Sequence, residues 1–405
     1  MKDMILSTPY ALQDRRRTGT ASNPSPLMNL IRNARIVTAT EDFLGTLSLD
    51  GERITGLASS DTGVAAAVDW QGDYLLPGLV EIHTDNLEKH LMPRPKVHWP
   101  VMPAILAHDG QVATAGITTV LDAIAVGDID ADSVRAQTLV TCIDGLRQAQ
   151  TAGLLRADHF LHLRLELAEP NLLDLFMPFL DDPRLKLVSL MDHTPGQRQW
   201  SDLSHYRTYM TGKRGWSVEK LESMFEQMLQ RQARHAGVNR RRIVACCNQR
   251  DTPLPMATHD DTTEAHVHEG VADGITISEF PTTLIAARMA RAHGLSIIMG
   301  APNMVRGGSH SGNVSAAELA QANLLDVLSS DYVPASLLHA AFLLRDSGFN
   351  LPQAVATVSR NPARMVGLHD RGEIALQRRA DFIRVRMFDG FPVVLETWKA
   401  GRQIA

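Results

Sequence analysis

The segment Gly78-Leu-Val-Glu-Ile-His83-Thr-Asp85-Asn86 continues an apolar run into two residue types that ligate metals. The run predicts a buried strand that ends near His83 and Asp85. Because residues i and i+2 of a strand point to the same side, these two side chains can aim an imidazole and a carboxylate at one point. Such groups are ligands for divalent metals. The segment therefore predicts part of a metal site at a strand end; the alternative is a strand exit whose polar residues simply meet water.

Similar apolar runs recur between about residues 76 and 365 and alternate with helical segments. The strand candidates are Leu76–His83, Gly116–Asp122, His159–Glu166, Leu185–Met191, Ile243–Cys247 with Met256–His259, Ile275–Glu279, Leu295–Met299 and Val327–Asp331. About eight strands with helices between them predict a (β/α)8 TIM-type barrel. An open doubly wound sheet is the alternative, but no Gly-x-Gly-x-x-Gly follows the first strand.

The sequence pattern at both ends of the chain differs from that of this middle part. Residues 29–75 and 366–405 contain short alternating strands, and together they predict one small β-sandwich domain beside a barrel at 76–365. Residues 1–28 are rich in Ser, Thr, Pro, Asn and Arg and predict a loose N-terminal extension without a signal peptide. No run of about 18 apolar residues predicts a membrane span.

Composition limits the function classes. The chain has 405 residues, 44% of them apolar, and a formal net charge of −5. This charge gives no general attraction to nucleic acid or to an acidic membrane, so the expected partner is a small-molecule substrate. Cys142, Cys246 and Cys247 have no C-x-x-C spacing, which favours a reducing cytoplasm over a disulfide framework. A homo-oligomer stays open.

Carboxylates and imidazoles recur at the ends of the predicted strands, where the active sites of such barrels lie. The expected metal ligands are His83, Asp85, Glu166, His193, His259, Glu279 and Asp331. Together they predict one or two divalent ions, zinc, manganese or similar. Asp331 and His83 are the candidate catalytic residues, with Asp331 expected to position or deprotonate a water. Whether His193 and Glu279 bind metal directly stays open, because each can also be a hydrogen-bonded residue of a strand end.

Two donor-rich loops follow the first and seventh predicted strands. The first is Pro93–Pro100, and the second is Ala301–Asn313 with its paired glycines. Backbone N–H groups of such loops can approach an anion closely. The expected substrate-binding residues are Arg94, Lys96, Arg198, Asn303, Arg306, Ser309 and His310. Cations gathered at one place in a protein of negative net charge predict a multiply charged anionic substrate; the alternative is a pair of surface loops.

Long strings of sequence resemble one family. They include Pro93-Arg-Pro-Lys-Val-His-Trp-Pro100, Arg306-Gly-Gly-Ser-His-Ser-Gly-Asn313 and Leu328-Ser-Ser-Asp331-Tyr. Over about residues 30–405 the chain resembles the phosphonate-metabolism diphosphatases of the carbon–phosphorus lyase pathway, a branch of the amidohydrolase superfamily. The resemblance implies a metal-dependent barrel that cleaves a ribose triphosphate ester, releasing pyrophosphate and leaving a 5-phosphoribosyl 1-alkylphosphonate.

This sequence departs from the superfamily pattern at two strand ends. No lysine ends the fourth strand, and the resemblance implies that Glu166 takes the place of a bridging lysine. Glu279 stands at the sixth strand, where a histidine is customary.

Two other functions remain as alternatives. A C–N hydrolase, such as a deaminase or amidase, would use the same metal core, but a neutral substrate needs no cationic loops. A non-catalytic barrel scaffold would be expected to lose metal ligands, and His83, Asp85, Glu166, His259 and Asp331 are all retained.

Overall fold

Two β-sheets organise the part of the chain that the computed structural model describes. The described residues are 30–60, 63–94, 97–128, 134–198, 203–204, 207, 211, 217–309 and 312–405. The predicted extension at 1–28 lies outside them, and so do Lys96 and His310.

The described strands are numbered in chain order. The first five are β1 (Leu30–Val37), β2 (Asp42–Asp50), β3 (Arg53–Ala58), β4 (Val68–Asp69) and β5 (Tyr74–Pro77). The next eight are β6 (Leu79–Thr84), β7 (Ile117–Val126), β8 (Asp158–Glu166), β9 (Leu185–Met191), β10 (Met256–His259), β11 (Ile277–Glu279), β12 (Ser296–Gly300) and β13 (Val327–Ser329). The last three are β14 (Phe382–Phe388), β15 (Phe391–Lys399) and β16 (Arg402–Gln403).

Strands β6 to β13 form a parallel barrel whose strand order follows the chain. The last strand approaches the first at the carboxyl end. There the Asp331 N–H donates to the His83 carbonyl at 3.1 Å, and the Asp85 N–H donates to the Asp331 carbonyl at 3.2 Å. This arrangement confirms the predicted (β/α)8 fold and already places Asp331 against the His83 segment.

Helices alternate with the barrel strands. The described α-helices are Asn86–Leu91, Val101–Thr114, Val134–Thr151, Leu172–Phe176, Val218–Arg231, Gly237–Asn248, Glu264–Ala272, Leu284–Ala292, Ala301–Arg306, Ala316–Gln321, Ser336–Leu343, Leu351–Ala356 and Arg360–Met365. Short 3-10 helices are Met177–Phe179 and Leu344–Ser347, and Gln232–Ala236 is a π-helix. None of these helices is long and apolar enough to cross a membrane.

The barrel interior is layered. One layer is apolar and contains Leu187, Ala257 and Ile277 on three neighbouring strands. Because side chains of a strand alternate between the two faces, the residue two positions further along each strand faces the same interior. Those residues are Ser189, His259 and Glu279. The apolar layer therefore gives way to a polar layer toward the carboxyl ends.

Two predicted strand segments were wrong in part. Ile243–Cys247 lies inside the helix Gly237–Asn248, so only Met256–His259 is a strand. Ile243 and Cys247 are buried while Cys246 is half-buried, which is one face of a helix at i and i+4 spacing. Strand β7 also continues four residues beyond the expected end at Asp122.

The two ends of the chain pair into one mixed sheet, in the order β16-β15-β14-β5-β1-β2-β3 with β4 against β1. Its core contains Trp70, Phe382 and Trp398, and the last two rings stack at 5.6 Å. The prediction of a small β domain made from both ends is confirmed. The exact bounds at 29–75, 366–405 and 76–365 stay predictions; β5 ends at Pro77.

Candidate active site

A cavity opens at the carboxyl ends of β10 to β13. Its lining includes Asp260, Phe280, Gly300, Asn303, Arg306, Ser309, Asp331 and Tyr332. Four of the predicted site residues, Asn303, Arg306, Ser309 and Asp331, therefore share one cavity. This is the face of the barrel at which (β/α)8 enzymes place their chemistry.

The backbone at this mouth adopts rare conformations. Asp260, Phe280 and Asp331 have φ angles of 56°, 55° and 52°. The left-handed region costs a residue with a Cβ roughly 1–2 kcal/mol, and such residues cluster at functional sites. Each of the three lies one or two positions beyond a strand, so the strain falls where the strands of the barrel end.

Glu279 connects two histidines beneath the cavity. Its carboxylate contacts His83 Nδ1 at 2.6 Å and His259 Nδ1 at 2.7 Å, and it accepts a hydrogen bond from Ser189 Oγ at 2.7 Å. The His83 and His259 rings stack with centroids 5.8 Å apart. His162 contacts Ser189 Oγ at 2.5 Å from below. These contacts fix both imidazoles through Nδ1 and leave Nε2 as the ligand atom of each.

A second group of donors lies nearer to solvent. One donor atom each from His193, His259 and Asp260 lies within 4.8 Å of the other two. Glu166 contacts His193 Nδ1 at 2.7 Å and accepts a hydrogen bond from the His193 N–H at 3.1 Å. Asp260 is missing from the predicted ligand set, although it directly follows His259. Among the described residues Glu166 forms no ion pair with Arg164, which lies two positions earlier on the same strand.

Asp331 lies at the closing point of the barrel. Burial, and next the neighbouring Asp85 carboxylate, raise the pKa of Asp331 to about 7. A carboxyl group with a pKa near neutrality can both accept and release a proton. Lys89 fixes the adjacent segment: its ammonium donates to the Tyr332 carbonyl and lies 4.7 Å from the centre of the Tyr332 ring.

The segment after β12 differs from the predicted loop in its first half. Ala301–Arg306 is a helix that ends at Gly307, which has a φ of 74°. The Asn303 side chain accepts a hydrogen bond from the Ala316 N–H at 2.9 Å and donates to the Val314 carbonyl at 3.4 Å. Asn303 thus shapes the cavity wall, while Arg306 is exposed at its rim.

Arg198 is bound by oxygens of the protein. Its guanidinium is buried and donates to the His259 carbonyl at 2.9 Å, to Asp261 at 2.6 Å and to Glu269 at 3.4 Å. Because both of its Nη atoms already bind protein oxygens, Arg198 stabilises the turn after β10. Its contact with substrate stays a prediction.

The loop after the first barrel strand is described only in part. Arg94 is exposed and bridges to Val97 through the backbone. Lys96 and, in the later loop, His310 lie outside the described residues, so their predicted roles stay predictions.

A further buried polar cluster lies between β7 and the helix Val101–Thr114. Asp122 contacts His108 Nε2 at 2.7 Å and His159 Nδ1 at 2.8 Å, and His159 Nε2 lies 3.3 Å from Asp109. The ligand atoms of His108, Asp122 and His159 are close enough to hold a metal. Their distances are those of hydrogen bonds that already satisfy each group, so we interpret the cluster as a structural network.

Comparisons with known proteins decide the family. No family model matches the chain. The chain is 44% identical over 378 residues to alpha-D-ribose 1-methylphosphonate 5-triphosphate diphosphatase of Escherichia coli (strain K12), a match that covers 93% of this chain and all of that protein. The chain belongs to this diphosphatase family. The resemblance to these diphosphatases found in the sequence is thereby confirmed, and the chain is a hydrolase.

More distant relatives share the fold of this diphosphatase. An adenine deaminase of Nitratidesulfovibrio vulgaris (strain DP4) is 24% identical, and the match covers 95% of this chain and 59% of that protein. The crystal structure of N-acetyl-D-glucosamine-6-phosphate deacetylase from Mycobacterium smegmatis superposes with a TM-score of 0.59 at 15% identity, covering 93% of this chain and 99% of that one. A 5-methylcytosine deaminase from Klebsiella pneumoniae gives a TM-score of 0.57 at 18% identity, over 93% and 98% of the two chains.

The donor set of this diphosphatase fits a divalent cation. The imidazoles of His193 and His259 lie close to the Asp260 carboxylate, and the Glu166 carboxylate contacts His193. Imidazole and carboxylate together are a mixture that zinc and manganese accept. Burial, and next the Asp85 carboxylate, raise the pKa of Asp331, and a bound cation would oppose that rise.

Proposed function

We propose that the protein hydrolyses alpha-D-ribose 1-methylphosphonate 5-triphosphate to 5-phosphoribosyl 1-methylphosphonate and diphosphate, in phosphonate catabolism. The observation on which this rests is the 44% identity that spans the whole Escherichia coli diphosphatase. The cavity supports it, because Arg306 and Ser309 offer donors to an anion beside Asp331. A neutral purine or amide would make no use of them.

His193, His259 and Asp260, with Glu166 against His193, would hold a divalent ion, zinc or manganese. Such an ion supplies Lewis-acid activation of water and of a phosphoryl oxygen. We assign Glu279 a positioning role in place of direct ligation, because its two oxygens already bind the Nδ1 atoms of His83 and His259. Asp85 lies beside Asp331 and adds negative charge for the cation.

Separate side chains then bind the attacking water and the leaving group. A water oxygen forms a bond to the α-phosphorus, the bond from that phosphorus to the bridging oxygen breaks, and pyrophosphate leaves with the electron pair. Asp331 holds the attacking water and accepts its proton. Glu279 binds His83 Nδ1, which leaves His83 Nε2 as a further ligand atom for the ion. Arg306 faces the departing phosphates, whose charge it offsets.

The test is pyrophosphate release by protein first dialysed against a chelator. We expect no release from the ribose triphosphate substrate until Mn²⁺ or Zn²⁺ is added, and no ammonia from adenine under any of these conditions. Ammonia release without pyrophosphate release would assign the site to the C–N hydrolases. Inactivity toward both substrates with every metal would favour a non-catalytic scaffold.

The same proposal includes the remaining expectations. The cavity and the net charge favour a small-molecule triphosphate ester as the partner, with no nucleic acid and no membrane. Three free thiols, of which Cys142 and Cys247 are buried, favour a cytoplasmic location. A homo-oligomer stays a prediction that size measurements in solution would check.

A further inference from the structure

We propose that Arg164 binds the phosphoryl group under attack and is a catalytic residue of this enzyme, a role that rests on the proposed function.

Arg164 faces the interior of the barrel. Strand β8 places Phe160, His162, Arg164 and Glu166 on one side by alternation. Phe160 packs on the apolar layer, His162 contacts Ser189, and Glu166 contacts His193 at the mouth. Arg164 therefore lies one layer above the buried histidine and one layer below the Glu166–His193 pair.

The pairing with the neighbouring strand β9 places Arg164 in the same layer of the barrel interior. Arg164 is in register with Ser189 of β9. The Ser189 hydroxyl donates to Glu279, which in turn contacts His83 and His259. The guanidinium thus belongs to the layer from which the site histidines project.

Arg164 has no acidic partner. It is 7% exposed, its Nε atom has no hydrogen-bond partner, and it forms no ion pair among the described residues. Other buried arginines of the barrel do form them: Arg184 contacts Asp182 at 2.6 Å and Arg240 contacts Asp273 at 2.5 Å. A buried guanidinium without a partner is costly in free energy, so its retention indicates an anion that arrives later.

The neighbours of Arg164 on β8 contact the site residues. The His162 ring packs against the His83 ring with centroids 5.0 Å apart, and Glu166 contacts His193 Nδ1 at 2.7 Å. Arg164 lies between His162 and Glu166 on the same face of the strand.

The chemistry of the side chain fits a phosphoryl group. A guanidinium offers a planar set of N–H donors that matches two phosphoryl oxygens, and it stays charged at any pH of interest. Its place one layer below the Glu166–His193 pair assigns it to the phosphorus under attack. Arg306, at the rim, is left with the departing phosphates. The two arginines should therefore affect different kinetic constants.

The experiment compares Arg164→Met and Arg306→Ala in steady-state pyrophosphate release by the metal-loaded enzyme. We expect Arg164→Met to lower kcat by about 10²–10³-fold, as loss of one donor to transition-state charge does elsewhere, with little change in KM. Arg306→Ala should lower kcat/KM by about tenfold to a hundredfold, mainly through KM. Arg184→Met is the matched control: it also removes a buried arginine, but far from the mouth, and its kcat should match that of wild type.

Three readouts separate a contact with phosphate from a structural role. Thermal melts show whether each variant is folded. Calorimetry with inorganic phosphate, which can occupy the position of the phosphoryl group under attack, and metal-free protein should show weaker binding to Arg164→Met than to wild type. Added guanidinium ion should restore part of the kcat of Arg164→Ala, because it can occupy the vacated space, and it should not stimulate Arg306→Ala.

Each result decides the proposal. A folded Arg164→Met with kcat within about threefold of wild type overturns it. If the Met variant does not fold, Arg164→Lys replaces it, and an unchanged kcat there has the same meaning, because lysine lacks the planar fork. If wild type releases no pyrophosphate, the proposed function fails, and calorimetry alone tests Arg164: equal binding of inorganic phosphate to wild type and to Arg164→Met overturns the anion contact.

Discussion

Glu279 illustrates at the scale of one residue how the site is held. Its two oxygens contact the Nδ1 atoms of His83 and His259, residues that are 196 and 20 positions away in the chain. The strand-end rule brought these three residues together from the sequence. It could not distinguish a ligand from a positioning group, because that depends on which histidine nitrogen faces the carboxylate.

Asp260 is a site residue that the strand rule did not predict. The strand rule assumes an extended backbone, in which His259 and its immediate neighbour point to opposite faces. The φ of 56° at Asp260 breaks that assumption and turns its carboxylate toward the same cluster as His193. A pair of acidic residues after a strand-ending histidine is the available sequence signal.

The replacement Glu279→Gln tests the positioning role. We expect the affinity for Zn²⁺ or Mn²⁺ to fall by about 10–100-fold, because an amide holds two imidazoles in their ligand orientation less firmly than a carboxylate. Titration calorimetry measures the affinity, and a thermal melt checks the fold. Glu318→Gln is the control, since glutamine can keep its exposed capping interaction with Ser315. Unchanged metal affinity in folded Glu279→Gln would remove the positioning role.

At the scale of elements, periodicity predicted the barrel strands well because both of their faces are covered. All residues of β6 and β7 are buried, and seven of the ten residues of β7 are apolar. The same feature produced the error at Ile243–Cys247, since a short apolar run does not distinguish a buried strand from one face of a helix. Length would have helped: the helix Gly237–Asn248 continues well beyond the run on both sides.

The outer face of β7 contains a titrating network that alters stability with pH. Burial acts to lower the pKa of His159, but Asp122 and Asp109 raise it to about 9. A histidine whose pKa is raised on folding contributes stability that is fully present below its unfolded pKa, near 6.5, and that is lost as the pH rises through about 9.

We therefore expect the free energy of unfolding of wild type to exceed that of His159→Gln most at pH 6 and least above pH 9.5. The difference between these limits should be about 1–3 kcal/mol. Urea denaturation of both proteins at several pH values measures it. A gap between the two proteins that stays constant from pH 6 to pH 10 would show that His159 is neutral in the folded state.

At the scale of the whole molecule, the terminal sheet and the barrel meet around one carboxylate. Asp158, at the start of β8, contacts Arg371 at 2.7 Å, Arg379 at 2.6 Å and Lys399 at 3.0 Å. That both chain ends form one sheet could be predicted, because both contain short strands of alternating apolar and polar residues. This junction could not, because Asp158 and Lys399 are 241 positions apart and nothing in local sequence links them.

The replacement Asp158→Asn should weaken that junction without touching the chemistry. It leaves three cations around a neutral amide, and loss of one partner of a buried ion pair costs about 3–5 kcal/mol. Asp158 is partly exposed, so we expect a loss of about 2 kcal/mol in the free energy of unfolding. Denaturant titration measures this loss.

The control is Asp144→Asn, which breaks an exposed pair with Arg147 and should cost less than about 0.5 kcal/mol. Because the junction lies at the amino ends of the strands, opposite the cavity, kcat should stay the same in both variants. A large fall in kcat for folded Asp158→Asn would mean that the terminal sheet influences the cavity through the barrel.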